Sequence, residues 1–316
     1  MVRKLGVLII LASLGSTHCK GGERSTSGAG AGDVSSTSGE ATISLNLATT
    51  VATGSGATSS GGLIVQDDGG AATLMGVIRD FRFYDPTDPT TNLDFENVPP
   101  TWPQAGAIDP DVVTDTLGTD NKPVYKMTGS NSGSTHGQAS FNQWYNDVAG
   151  TNIHVDYPLP ITAYPGGTYG YSSAVSGAPY DNGLTGGGFF PIDDGTPYAT
   201  AFGDQAAELL AKGYPANATP HNYSFTFELH TQFTYSGGET FNFQGDDDVF
   251  VYINQALVIN LGGIHGPEQA SVSVDSLGLT LGQTYPLDFF SAERHIIGSN
   301  IIFTTSLQLV STSTVK

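Results

Sequence analysis

The chain has 316 residues, of which 38% are hydrophobic and 13% charged, with 41 glycines, 11 Lys+Arg and 30 Asp+Glu for a formal net charge of -19. That balance excludes a nucleic-acid binder, whose affinity rests on neutralising phosphates with Lys and Arg, and it attracts divalent cations instead. The composition also excludes a long-helix protein and suits a turn-rich β fold, while a single cysteine, Cys19, excludes an intramolecular disulfide.

Arg3 and Lys4 precede an apolar run, Leu5 to Leu14, followed by Gly15, Ser16 and Thr17. A basic start, a short apolar stretch and small residues make a secretory signal peptide, placed here at residues 1–18. Cys19 stands where a bacterial lipoprotein carries its acylated cysteine. Ser16-Thr17-His18 departs from a lipobox, which has an aliphatic residue in place of Ser16 and a small one in place of His18. Two outcomes are open: a lipid anchor through Cys19 into an outer membrane, which the lone cysteine favours, or ordinary cleavage that removes Cys19 or leaves a free thiol. Residues 19–72 are rich in Gly, Ser, Thr and Ala and hold no aromatic residue. They cannot bury enough surface to offset the entropy of ordering, so they read as a disordered tether. The expected location is the cell surface.

From Leu74 onward aromatics appear, and a folded domain is expected over residues 73–310. Residues 224–229 and 240–244 alternate polar and apolar side chains, as half-buried strands do. Residues 249–253 are apolar on both faces and read as a central strand, followed by a tight turn at Asn254-Gln255. Further strands are expected over 257–261, 271–274, 285–290 and 300–309. Residues 206–212 form a short helix capped by Asp204. The Pro- and Gly-rich first half reads as looser. Many short strands between Gly, Asn and Asp turns indicate an all-β sandwich or barrel.

Several ordered segments carry a resemblance. They include Gly76-Val77-Ile78-Arg79-Asp80-Phe81, Trp144-Tyr145-Asn146-Asp147, His221 to Leu229, Gly245-Asp246-Asp247-Asp248-Val249, Leu261-Gly262-Gly263-Ile264-His265-Gly266 and Ala292-Glu293-Arg294-His295. Together they resemble the fibro-slime domain, an extracellular module of bacteria and slime moulds related to the PA14 β-sandwich. The resemblance implies an all-β, PA14-like antiparallel β-sandwich with loop-rich insertions and little helix. It also implies a surface protein without catalytic activity, here read as bacterial. Gln255 departs from the pattern, which has Gly there.

Asp246, Asp247 and Asp248 lie between two predicted strands. A turn needs one or two Asp for local hydrogen bonds; three adjacent carboxylates repel, and a hard divalent cation converts repulsion into coordination. The resemblance extends to PA14-type yeast adhesins, in which an adjacent Asp pair joined by a cis peptide binds Ca²⁺. It places Asp246 and Asp247 on that pair and Glu293 on a further oxygen ligand from a second loop. Asp248, His295 and backbone carbonyls from 295 to 297 are further donors. In the alternative reading Asp246 and Asp247 cap a turn, Asp248 faces solvent and Glu293 pairs with Arg294 or another base. His265, Arg294 and Asn300 are read as lining a ligand at the same tip. His265 and His295 have no partner at zinc-site spacing.

Asp247 and Glu293 also supply the two carboxylates that a glycoside hydrolase needs across a cleft, but no nucleophile elbow, zinc helix or phosphate loop accompanies them. The expectation is therefore a calcium-dependent carbohydrate-binding or adhesion module with an extracellular glycan as partner. The alternative is a structural matrix protein or signalling ligand that binds proteins, with calcium only structural. Exposed Trp144, Tyr145, Tyr169 or Tyr171 beside the Asp triplet would favour sugar stacking.

Overall fold

The computed structural model describes residues 65–66, 72–97, 107–174, 187–211, 213, 220–296 and 298–311. The signal peptide, Cys19 and most of the tether lie outside the described residues. A two-residue strand, β1 (Val65–Gln66), already pairs with the start of β2 (Ala72–Phe81), inside the stretch read as tether. Backbone pairing extends order there, and composition does not register it.

The remaining strands are β3 (Asn152–Tyr164), β4 (Thr168–Ser172), β5 (Phe225–Thr234), β6 (Thr240–Gly245), β7 (Asp248–Ile253), β8 (Ala256–Leu261), β9 (Glu268–Ser273), β10 (Thr284–Glu293), β11 (Ile301–Thr305) and β12 (Val310–Ser311). All pairings are antiparallel, in the order β8-β7-β10-β5-β2-β3-β4-β11-β6-β9. The two helices are short, α1 (Gln138–Phe141) and α2 (Ala206–Ala211). Asp204, read as the cap of α2, accepts the Asp194 amide on Oδ1 at 2.9 Å.

Strand β3 belongs to both layers. Residues 152–161 pair with β2 and residues 162–164 with β4. Pro158 and Pro160 lie in the first stretch, where β3 has a partner on one side only. Residues two apart turn their nitrogens to the same side, so the missing N–H groups face the unpaired edge, where proline is tolerated. This is why a Pro-rich first half contains a long strand that its composition conceals.

Between the layers lies a core of aromatic and branched side chains, including Phe225, Phe227, Phe233, Phe241, Phe243, Phe289 and Phe303. A second core covers the opposite face of the first layer. There Phe81, Phe250, Tyr252 and Phe290 from the strands meet Phe95, Phe141, Trp144 and Tyr145 from the 82–151 insertion. All of β7 is buried because it is covered on both faces. The turn that follows has φ of 51° at Asn254 and 67° at Gln255, a left-handed pair that suits a two-residue hairpin. Residue 274 enters a short 3₁₀ helix, Val274–Leu277, and the strand expected over 300–309 ends at Thr305.

The second layer requires glycine at position 170, where an added Cβ would stand 2.0 Å from the Phe303 carbonyl oxygen. Gly170→Ala is expected to lower stability by about 1–3 kcal/mol through overpacking. Gly266→Ala, which meets nothing within 4 Å, should leave the urea midpoint unchanged. Equal midpoints for both variants would contradict the packing described for β4 and β11.

Candidate functional site

The Asp triplet joins β6 to β7 and faces two loops, residues 262–267 after β8 and residues 294–300 after β10. Each Asp fastens a different partner. Asp246 accepts the Asn300 amide and, at 2.7 Å, Asn300 Nδ2. Asp247 Oδ1 accepts the His265 amide at 3.2 Å, and Oδ2 accepts the Arg294 amide at 2.8 Å. Asp248 Oδ1 accepts the Gly263 amide at 2.7 Å, and Oδ2 takes Arg294 Nε at 2.6 Å. Asp247 has a φ of 48°, in the left-handed region that Asp tolerates better than most residues. No peptide bond among the described residues is cis, so the cis linkage implied by the adhesin resemblance is not present.

Asp248 is fully buried, so the alternative reading, in which it faces solvent, does not hold at this residue. Its position at the first residue of β7 turns it beneath the sheet, where Arg294 meets it. Arg294 is also fully buried, and it braces the tip rather than lining a ligand. Its Nη1 donates to the carbonyls of Ser134 at 2.9 Å and Asp94 at 3.3 Å, and its guanidinium lies 4.6 Å from the Trp144 ring centroid. Such a cation–π contact is worth roughly 2 kcal/mol when desolvated.

Glu293, the last residue of β10, is buried. It hydrogen bonds with Ser299 and Asp247, and its Oε1 has no partner among the described residues. Thus Asp247 and Glu293 lie against one another, and among the described residues Glu293 does not form the ion pair with Arg294 that the alternative reading offered. They do not face each other across an open cleft as a hydrolytic pair would. Among the described residues, no three His, Cys, Asp or Glu side chains converge at metal-ligating spacing. Asp246 is drawn to Asn300, and His295 Nδ1 lies 2.9 Å from Glu96 Oε2, while the charge of His295 also acts on Asp247. His265 is buried with its ring nitrogens against the carbonyls of Gly266 and Leu261. Asn300 is buried on Asp246. Of the residues read as ligand-lining, His265, Arg294 and Asn300 therefore hold the loops together.

Trp144 and Tyr145 lie in the second core, and Tyr169 and Tyr171 pack against the main one. None stands as an exposed stacking surface beside the triplet.

The electrostatics are lopsided. Four carboxylates gather where Arg294 is the buried cation, and Glu96 engages His295. Burial pushes the Asp246 carboxyl up to about 7, against the opposing pull of Asn300. Burial also raises Asp247, with Arg294 opposing. Glu293 is pushed well above the usual carboxylate range, first by burial and then by the charges of Asp247 and Asp246. The donors at this tip are oxygens with excess negative charge, and Glu293 Oε1 is unsatisfied, but these side chains do not converge into a ligand set of three.

Sequence reasoning missed the residues that connect this tip to the insertion. Asp94 accepts the His136 amide at 2.7 Å and Trp144 Nε1 at 3.1 Å, while Glu96 accepts the Ile296 amide at 3.0 Å. It also missed a second charged cluster on the outer face of the first layer. There Arg79 Nη1 meets Glu228 at 2.5 Å, and His230 bridges Glu228 at 2.8 Å and Asp288 at 2.7 Å. Burial works against the charged form of His230, but its bonds to Asp288 and Glu228 prevail and push it up to about 9. Only the local sequence Glu228-Leu229-His230 could have hinted at this cluster, and Glu-x-His is not distinctive.

A carboxyl raised in the folded state holds a proton that the unfolded chain has released. Its stabilisation is complete below the unfolded pKa and is lost as pH rises through the folded one. With chelator present, stability should therefore fall between about pH 4 and pH 7, the window set by Asp246. Glu293→Gln, which mimics the protonated acid, should match the parent at low pH and exceed it at pH 8 in denaturant titrations. A parent more stable at pH 8 without cation would contradict the raised carboxyls. The His230 contribution has the same sign at higher pH: it is full below about 6.5 and lost as pH rises through about 9.

Residues 189–313 match the family described as PA14 domain. Relatives in Dictyostelium discoideum include protein psiQ, 36% identical over 234 residues, covering 74% of this chain and 21% of psiQ. Protein psiR is 38% identical over 227 residues, covering 71% of this chain and 20% of psiR. Protein psiC is 37% identical over 232 residues, covering 70% of this chain and 39% of psiC. The chain thus spans between about a fifth and two fifths of these relatives. Their match extends beyond the 189–313 segment, so part of the first half recurs in them. They offer no support for a bacterial source or a lipid anchor. Among solved structures, the PA14 domain of the MpAFP antifreeze protein is 14% identical and covers 31% of this chain and 50% of its own, with a TM-score of 0.21, too low to carry an argument. Within this all-β protein, the segment from residue 189 to residue 313 is thus similar to the PA14 domain.

Proposed function

We propose that the protein is a non-catalytic, carbohydrate-binding or adhesion module held at the cell surface, with calcium bound at the Asp247–Glu293 tip. The observation that carries the cation reading is Glu293 Oε1, buried without a partner against another buried carboxylate. Asp247 and Glu293 would hold the ion, with Asp246 adjacent and backbone carbonyls of the 294–300 loop as further oxygen donors. A bound cation replaces the proton that the cluster otherwise retains.

The burial of this site favours one version of that role. Asp247 and Glu293 are each only 4% exposed, so calcium here fastens the loops around it rather than offering an open coordination position to a sugar. An exported chain with one cysteine has no disulfide to do this work. The same burial gives weight to the protein-binding alternative, a matrix component or signalling ligand with structural calcium. A fibro-slime assignment for the whole folded region, export by the N-terminal signal and anchoring through Cys19 complete the proposal.

Calorimetric titration of calcium into chelator-stripped protein should give binding near one ion per chain, with a raised Tm. Asp247→Asn and Glu293→Gln should each abolish both effects. The same protein passed over a glycan array with and without calcium separates the roles. Retention that requires calcium supports a glycan ligand, and a blank array with intact calcium binding favours the protein-binding alternative. Absence of any calcium-dependent heat or Tm shift would overturn the cation reading.

A further inference from the structure

The two layers differ in what covers their outer faces. The insertion roofs the first layer with Phe95, Phe141, Trp144 and Tyr145. The second layer presents Asn242 and Gln244 from β6, Gln269 and Ser271 from β9, and Ile302 and Thr304 from β11, around a shallow groove of about 340 Å³. Four of these, Asn242, Gln269, Ser271 and Thr304, are exposed, and Gln244 and Ile302 are partly so. The strand register places them in two rungs. Thr304, Asn242 and Ser271 form one, and Ile302, Gln244 and Gln269 the other. Within the rungs Ser271 Oγ donates to Asn242 Oδ1 at 2.6 Å, and Gln269 Nε2 donates to Gln244 Oε1 at 3.2 Å.

No ionisable side chain stands in either rung, on a protein with 30 Asp+Glu. We propose that this face binds an extended, neutral polysaccharide chain without the help of a divalent cation. Anionic polymers are disfavoured by the net charge of -19. A protein partner would need aromatic or aliphatic anchors, and Ile302 is the one large apolar side chain projecting from the rungs. Amide side chains offer donors and acceptors together, as sugar hydroxyls do. Their mutual hydrogen bonds already order them, which reduces the entropy lost on binding. Rungs crossing strands about 4.8 Å apart give a flat, repeating array, suited to a ribbon-like polymer rather than to a single sugar in a pocket. The absence of charge matches an uncharged polymer, since no ion is desolvated on contact. Nearby, Gly170 keeps the neighbouring strand flat, because any side chain there would collide with the Phe303 carbonyl.

This inference does not rest on the cation reading, and one experiment separates them. The intact protein is mixed with microcrystalline cellulose and, separately, with insoluble β-1,3-glucan, in EDTA. Retention on at least one polymer is expected, unchanged by added salt. The Asn242→Asp/Gln244→Glu double variant should bind roughly tenfold more weakly while keeping the parent circular dichroism and Tm. Glu293→Gln should bind in EDTA like the parent. Retention that disappears in EDTA, equal retention by the double variant, or no retention on either polymer would each overturn the proposal.

Discussion

Arg294 is the guanidinium on which the two halves of the folded region close. It leaves β10 directly after Glu293, pairs with Asp248 at the head of β7, and donates to carbonyls of Asp94 and Ser134 in the insertion. Trp144 lies across its face. Removing one partner of a buried pair of this kind costs about 3–5 kcal/mol, because the other charge is left uncompensated. The geometry of the acidic tip therefore depends on the insertion, although the acids themselves come from the C-terminal half. The Nε and Nη1 of Arg294 are taken by Asp248 and the insertion, and Glu293 lies against Asp247 rather than on the guanidinium.

That commitment sets the chemistry available at the tip. Negative charge exceeds positive charge among buried groups, so the site must take up either protons or a cation. Asp246, held near 7, and the strongly raised Glu293 describe the protonated state. A hard cation would describe the other, with the carboxylates ionised. Because the groups are enclosed, either state acts chiefly on the loops 262–267 and 294–300. Contact with a large partner then falls to surfaces away from the tip, and the outer face of the second layer, with no ionisable side chain in its two rungs, is a broad one among the described residues.

Much of the C-terminal half was legible because its strands alternate cleanly. Residues 224–229, 240–244, 249–253 and 257–261 all lie within or overlap the strands found. The first half was less so. Pro158 and Pro160 conceal β3, and their tolerance depends on an unpaired edge that only the sheet order reveals. At the tip, the contact of Asp247 with Glu293 was anticipated from the resemblance. The burial of Asp248 was not, since a strand's first residue can turn either way until its partner is known. His265 and Asn300 were misread as ligand-facing because both side chains satisfy backbone or carboxylate groups, contacts that are long-range in the chain. The facing of Trp144 was left open by the sequence, because an aromatic in a loop-rich segment has no periodicity to place it, and the second core settles it.

The most direct measurement is the proton balance of calcium binding, obtained by calorimetry at about pH 6.5 in two buffers of different ionisation enthalpy. A cluster that exchanges protons for a cation must release protons as calcium enters, because Asp246 titrates near 7 and Glu293 above its usual range. The observed heat should then differ between the buffers in the direction of proton release, and the difference should shrink in Glu293→Gln or disappear with its calcium binding. Calcium binding with identical heats in both buffers would contradict the account, since it would place the ion on groups already ionised.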